Sequence, residues 1–217
     1  MRISEDFVGV LFDVDGVLLD SMTAHVESWV RAGQELGLEI PEHEVYLREG
    51  EKSERTARDF IKAAGLMTTK KRIQMLIDKK AEIYMRLSTA PRPFPGVGAL
   101  LESLVNAGML VGFVTGTSRA EIQEAMPGEF EPYFKASVCG DEVMHGKPNP
   151  EPYMAGMRIL GVAPRECLVI ENAPLGIQSA LTAGATVWAV RSYLGDEHLP
   201  AGVHGKVDRI ADLMEFV

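Results

Sequence analysis

Val8-Gly-Val-Leu-Phe-Asp-Val-Asp-Gly-Val-Leu-Leu-Asp-Ser21 is the stretch on which the fold turns. The apolar run from Phe7 to Phe12 reads as a buried strand. Two carboxylates, Asp13 and Asp15, flank one apolar residue where that strand ends, and Gly16 follows them. Open α/β sheets bind their ligands at the carboxyl ends of the strands. A pair of acids in such a place is costly unless a cation or a reacting group neutralises it. A lone Asp-Gly step would be an acidic turn; a doubled acid at the end of a core strand asks for a partner.

Outward from this strand the character of the chain changes twice. From about Ser21 to Thr89 the pattern is helical, with many charges and no convincing strand. Ala24, Trp29, Ala32 and Leu36 line one face of a first helix that ends at Gly37. Pro41 to Arg48, Glu54 to Ala64 and Lys70 to Leu87 read as three more. Pro91-Arg-Pro-Phe-Pro-Gly96 is stiff, extended punctuation that cannot continue a helix. Beyond it helices Val97–Ala107, Arg119–Ala125, Glu151–Leu160 and Leu175–Ala183 alternate with strands. Those strands are Met109–Val114, one near Ser137–Cys139, Cys167–Ile170 and Thr186–Val190. Such alternation implies a Rossmann-like, doubly wound parallel sheet with helices on both faces. The expected organisation is an α/β core of residues 1–17 and 90–217, with a helical cap, 18–89, inserted after the first strand.

Bulk properties narrow the function classes. With 217 residues and 46% hydrophobic content the chain can bury a full core. A formal net charge of -9 argues against non-specific binding to nucleic acid or anionic membranes. Cys139 and Cys167 are the only cysteines, which suits a reducing compartment better than a disulfide framework. The N-terminal residues lack a signal-peptide pattern and no apolar run is long enough to span a bilayer. The expectation is a cytoplasmic protein, a monomer or small homo-oligomer.

Three further strand ends carry chemistry. Val114-Thr115-Gly116-Thr117-Ser118 is a small, hydroxyl-rich loop before a helix, able to offer N–H groups and hydroxyls to an anion or simply to cap that helix. Gly146-Lys147-Pro148-Asn149-Pro150-Glu151-Pro152 sets one lysine on a proline-stiffened loop, from which its ammonium reaches a single point. Glu171 and Asn172 end another buried strand and offer hard oxygens of the kind Mg²⁺ prefers; Asn172 is also a good cap for the next helix.

The order Asp-x-Asp, Thr, Lys, acid–amide, each at a strand's carboxyl end, resembles the haloacid dehalogenase superfamily of phosphotransferases over nearly the whole chain. The matching stretches are Phe12-Asp-Val-Asp-Gly-Val-Leu-Leu-Asp-Ser21, Val114-Thr-Gly-Thr117, Gly146-Lys-Pro-Asn-Pro-Glu-Pro152 and Glu171-Asn-Ala-Pro-Leu-Gly-Ile177. It is most similar to the branch of β-phosphoglucomutases and sugar phosphatases, which carry a helical cap after the first strand. The resemblance implies that Asp13 is the nucleophile and Asp15 the general acid and base. It implies that Thr115 and the Gly116 N–H, with Thr117, hold phosphoryl oxygens and that Lys147 neutralises their charge. It also implies Mg²⁺ held by Asp13, the Asp15 carbonyl and Asn172, with Glu171 direct or through water.

One departure matters. The family commonly has an acid where this chain has Asn172, so one negative charge is missing. The run Arg48-Glu49-Gly50-Glu51-Lys52 offers a replacement. Glu49 is expected to enter the site on closure, with Arg48 or Lys52 meeting the distal part of the substrate; a solvated helix end is the competing reading. His25 and Trp29 lie one turn apart near the hinge and match a His and a Trp of the mutase branch. His25 is expected to orient Asp15 or the hinge, and Trp29 to pack in the cap. The favoured function is Mg²⁺-dependent hydrolysis of a small phosphorylated metabolite through an aspartyl-phosphate. A phosphomutase would share the machinery but must keep water off the intermediate. An inorganic pyrophosphatase would use the Arg48–Lys52 charges for a second phosphate. A receiver-like signalling module is disfavoured by Asp-x-Asp at the first strand and by the helical insert.

Overall fold

The computed structural model describes residues 2–87 and 91–217. A one-turn helix α1 (Ile3–Asp6) precedes β1 (Gly9–Phe12), all four residues of which are buried. The strand starts later than its apolar run because Phe7 closes α1 and Val8 is half exposed. Next come β2 (Leu19–Asp20), α2 (Met22–Glu35), α3 (Glu42–Leu47), α4 (Ser53–Ala63), α5 (Lys70–Leu87) and β3 (Arg92–Pro93). The chain continues through α6 (Val97–Asn106), β4 (Leu110–Val114), α7 (Arg119–Ala125), β5 (Phe134–Val138) and α8 (Glu151–Leu160). It ends with β6 (Cys167–Glu171), α9 (Pro174–Thr182), β7 (Thr186–Val190) and β8 (Gly205–Val207).

The main sheet has the order β5-β4-β1-β6-β7-β8. Every neighbouring pair in it is parallel. The chain adds β4 and β5 on one side of β1 and then β6 to β8 on the other. The crevice beyond the carboxyl end of β1 is therefore the topological switch point, where ligands of this architecture bind. Alternate residues of the strands feed two cores. Val10, Phe12, Phe113 and Ile170 pack with Leu100, Leu101 and Leu104 of α6. Leu11, Val169 and Val187 pack with Tyr153, Met157 and Ile177 from α8 and α9. Burial of each such side chain is worth about 1.5–3 kcal/mol, which makes the sheet the stiff part of the molecule.

Helices α2 to α5 form a separate apolar cluster built from Met22, Val26, Trp29, Ala57, Phe60 and Leu76 among others. Trp29 and Ala32 are buried as expected, whereas Ala24 is half-buried and the stripe runs through Met22 and Val26 instead. The block joins the sheet through the antiparallel pair β2–β3, Leu19 opposite Pro93 and Asp20 opposite Arg92. The extended Pro91–Gly96 punctuation thus becomes one of two paired connectors. The expected end of the insert at Thr89 lies outside the described residues. β5 begins earlier than expected because Lys135 and Ser137 alternate with buried Ala136 and Val138. β8 carries too few residues to announce itself. Among the described residues no helix is long and apolar enough to cross a membrane.

Candidate active site

The N–H of Asp13 donates to the carbonyl of Ile170 at 2.9 Å, so Asp13 extends the β1–β6 ladder by one residue and its carboxylate is held on stiff backbone. The chain then folds tightly, with the Leu18 and Leu19 N–H groups donating to the Val14 carbonyl, both at 2.9 Å. Gly16 sits in this turn at φ 86°, and a Cβ on it would lie 2.2 Å from Nδ2 of Asn172. Only glycine satisfies both the backbone conformation and that approach.

Lys147 is 2% exposed and its Nζ reaches Asp13 Oδ1, Glu171 Oε1 at 2.7 Å and the Val114 carbonyl at 3.3 Å. Burial opposes the ammonium, but the Asp13 and Glu171 carboxylates outweigh it and hold Lys147 protonated. Glu171 also accepts from Tyr153 Oη at 3.0 Å and from the N–H groups of Asn172 and Ala173, both at 2.8 Å. Gly176 on α9 leaves the space that this carboxylate occupies. Glu171 is expected to meet a metal directly or through water, and in these surroundings it has no free oxygen for a direct bond. Both of its oxygens are filled, and it anchors Lys147.

Asp15 lies in a nest of donors. Its Oδ1 accepts from Ser21 Oγ at 2.6 Å and lies 3.3 Å from His25 Nε2. Its Oδ2 accepts from Thr117 Oγ1 at 2.9 Å and Thr115 Oγ1 at 3.3 Å. Burial alone would raise its pKa, but His25, Ser21 and Thr117 together hold it well below the usual carboxylate range. The Lys80 ammonium lies 3.1 Å from His25 Nδ1. An ammonium has no acceptor, so Lys80 donates and the ring carries its proton on Nε2, toward Asp15. Tyr84 stacks on the imidazole with ring centroids 4.4 Å apart. His25 thus presents an N–H to Asp15 and is backed by Lys80. The hydroxyls of Thr115 and Thr117 are given to Asp15, and the N–H groups of Thr115, Thr117 and Ser118 go to the Val138 carbonyl, Thr115 Oγ1 and Glu121, while Gly116 lines the cavity.

The helical block closes the site from the opposite side. Glu49 is buried, and its Oε2 accepts from Asn172 Nδ2 at 2.8 Å. A Cβ on Gly116 would come within 2.5 Å of the Gly50 carbonyl, and one on Gly140 within 2.1 Å of the Gly116 carbonyl. Backbone thus packs directly on backbone where the two halves meet. The two basic residues of this run differ in surroundings. Arg48 donates to Asp59 at 2.9 Å and to Glu51 at 3.4 Å, while its buried Nε makes no hydrogen bond, lying 3.6 Å from Glu44, and the residue lines the cavity. Lys52 also lines the cavity. Its ammonium is committed to the carbonyls of Val143 and Met144. Between the halves lies a cavity of about 390 Å³ lined by Trp29, Arg48, Lys80, Gly116 and Glu121 among others.

Three buried oxygens in this site have no hydrogen-bond partner: Asp13 Oδ2, Glu49 Oε1 and Asn172 Oδ1. Asn172 turns its amide N–H₂ to Glu49, which leaves the oxygen as its free end. Burial, then the neighbouring acids, raise the pKa of Glu49, and Asp13 is likewise raised by burial despite Lys147. Buried acceptors without donors, among crowded carboxylates, fit a hard cation. Among the described residues no three His, Cys, Asp or Glu side chains form a metal-holding group, so this donor set is two carboxylates and an amide.

A family model described as haloacid dehalogenase-like hydrolase matches residues 10–190. The chain belongs to the haloacid dehalogenase-like hydrolases. Hexitol phosphatase A of Escherichia coli K12 is 33% identical over 187 residues, covering 85% of this chain and 83% of the relative. A fructose-1-phosphate phosphatase of the same organism is 30% identical over 188 residues, covering 86% and 98%. A solved structure from Bacteroides vulgatus matches with a TM-score of 0.87 at 32% identity, covering 97% of this chain and 87% of that one. Within this haloacid dehalogenase-like site Lys80, Tyr153 and Ser21 were not selected by sequence reasoning. Ser21 closes the quoted motif, and its small polar side chain at a helix start reads as a cap. Lys80 and Tyr153 sit inside helices, where no local spacing marks them.

Proposed function

We propose that the protein is a Mg²⁺-dependent phosphatase of small phosphorylated sugars or polyols, working through an aspartyl-phosphate on Asp13. The observation that carries this reading is the pairing of Asp13 with Lys147, beside three buried oxygens that lack donors. The named activities of the relatives supply the substrate class. Mg²⁺ would be held by Asp13, Asn172 and Glu49 with the main-chain oxygen of Asp15, and when bound it supplies charge neutralisation for the phosphoryl group.

Asp13 attacks phosphorus, and the bond from phosphorus to the leaving oxygen breaks as the acyl phosphate forms. Asp15 takes up a proton as it leaves its donors, delivers it to the leaving oxygen and then takes one back from the water that cleaves the acyl phosphate. In the arrangement described, both oxygens of Asp15 are occupied by protein donors, so this exchange requires it to release at least one of them. Lys147 holds the Asp13 carboxylate in place and balances the charge gathering on the phosphoryl oxygens. The Thr115-Gly116-Thr117 loop faces those oxygens, and residues 18–89 act as a cap that keeps bulk water out. Trp29, Arg48 and Lys80 line the space for the leaving group. Arg48 is already ion-paired and Lys52 is spent on carbonyls, which favours one phosphate over two.

A phosphate-release screen with Mg²⁺ over hexitol, hexose and pentose phosphates, with pyrophosphate included, tests the reading. Release from a sugar or polyol phosphate, lost with EDTA and regained with Mg²⁺, is the expected result. Release from pyrophosphate alone would overturn the substrate class, and isomerised sugar phosphate without released phosphate would turn the reading to a mutase.

A further inference from the structure

Lys147 is carried by a loop, Val143–Pro150, that has no regular hydrogen-bonded structure of its own beyond isolated turns. Its peptide groups are nevertheless engaged on both sides. From the core, Glu151 accepts from the N–H groups of Met144 at 2.8 Å and His145 at 2.9 Å. From the helical block, the Lys52 ammonium takes the carbonyls of Val143 and Met144, the latter at 3.0 Å. The stem of Lys52 lies across Gly146, where a Cβ would meet Lys52 Cγ at 2.7 Å. Two residues earlier, Gly50 rests on the stem of Lys147 itself, where a Cβ would meet Lys147 Cδ at 2.8 Å. Gly50 and Lys52 thus straddle the lysine loop, one on the side chain and one on the backbone.

A charged donor on two carbonyls fixes the orientation of those peptides, because each carbonyl that turns away leaves a charge-assisted hydrogen bond unmade. Lys52 belongs to the helical block, and the carbonyls belong to the half that holds Asp13. Any opening of the block away from the sheet would break this contact. We propose that Lys52 is a positioning residue that couples closure of the helical block to the posture of Lys147. The loop reaches its full set of hydrogen bonds only when the block is shut, so Lys147 is presented correctly to the reacting group only then. This inference rests on the phosphatase reading for its kinetic part, and its structural part stands apart from it.

The experiment combines amide hydrogen exchange with steady-state kinetics on the wild type, Lys52→Met and Lys52→Arg. Exchange at Met144–Lys147 is read with Mg²⁺ and no substrate, so it is judged even if no phosphate ester is turned over. Lys52→Met is expected to quicken exchange there while β6 and α8 stay unchanged. On the best substrate of the screen it should lower kcat about tenfold or more with KM within about twofold, the size set by charged hydrogen bonds to the loop. Lys52→Arg, which donates to the same carbonyls, should recover the larger part of both. Unchanged exchange overturns the proposal whatever the activity. Faster exchange with unchanged kcat overturns the coupling, and a rise in KM alone assigns Lys52 to substrate instead. Gly146→Ala displaces Lys52 from the other side, so adding it to Lys52→Met should cost little more than either change alone. Additive losses would overturn the proposal as well.

Discussion

The two acids of the Asp-x-Asp step are held in opposite ways. Asp13 is gripped by an ammonium, on a lysine that is itself anchored by Glu171 and Tyr153, all from the sheet half of the molecule. Asp15 is surrounded by neutral donors, two hydroxyls from the loop after β4, one from Ser21 and an imidazole N–H from α2. In the proposed reaction Asp13 is a nucleophile that must stay in place, and an ion pair within a rigid core does this. A group that has to give and take a proton needs partners it can leave, and single hydroxyl bonds of about 0.5–1.5 kcal/mol each are suited to that. The partners of Asp15 also come from both halves, so its environment depends on where the helical block lies. The ammonium that Asp13 meets directly comes from the sheet half alone.

The contrast can be broken most severely at its fixed end. Asp13→Asn should lower turnover by more than about 10⁴-fold while the folded protein retains its circular dichroism and melting profile, since the amide is isosteric but cannot attack phosphorus. Residual activity near the wild-type level would end the covalent mechanism. Lys147→Met is next. It leaves Asp13 and Glu171 as buried, uncompensated carboxylates, and urea unfolding should show a loss of about 3–5 kcal/mol. Glu49→Gln tests the third carboxylate, which lies on the helical block. It should weaken Mg²⁺ by about 10–100-fold, seen as a shift in the metal concentration for half-maximal activity, with the metal-free fold unchanged.

The smallest expected effect lies on the Asp15 side. Burial first, and the Lys80 ammonium second, push His25 below its ordinary value of 6.5. The unfolded chain takes up this proton more readily than the native one. Stability from the neutral His25 is therefore complete above pH 6.5 and is lost as pH falls toward the native value, at no more than about 1.4 kcal/mol per pH unit. Urea midpoints at pH 7 and pH 5 should converge in His25→Asn relative to the wild type. An unchanged acid dependence would show that the native and unfolded chains bind this proton equally.

Where the signal is local, the sequence is readable. The strands that end in Asp13, Thr115 and Glu171 are apolar runs between punctuating residues, and helices such as Arg119–Ala125 carry their own caps, here Ser118 with Glu121. Glu49 was legible because Asn172 leaves a charge missing, and a missing charge points to a donor elsewhere. Occupancy was not legible. Glu171 has the right chemistry for a metal, but whether its lone pairs are free depends on Tyr153 and on two backbone N–H groups that only the folded chain brings there. The partners of Lys52 were not legible for the same reason, since its acceptors at Val143 and Met144 lie 91 and 92 residues away in the chain and are main-chain atoms with no residue type to read.

The seam of Gly50, Gly116 and Gly140 sets the reach of this enzyme's selectivity. Because the halves meet there through bare peptide, their separation is defined by atoms that every closed molecule shares. A single methyl group on Gly116 would act as a doorstop against the Gly50 backbone, holding the cavity ajar without touching an acid or the lysine. Such a variant would admit longer leaving groups and more water together, so tolerance for new substrates and leakage of the phosphorylated enzyme would rise in step.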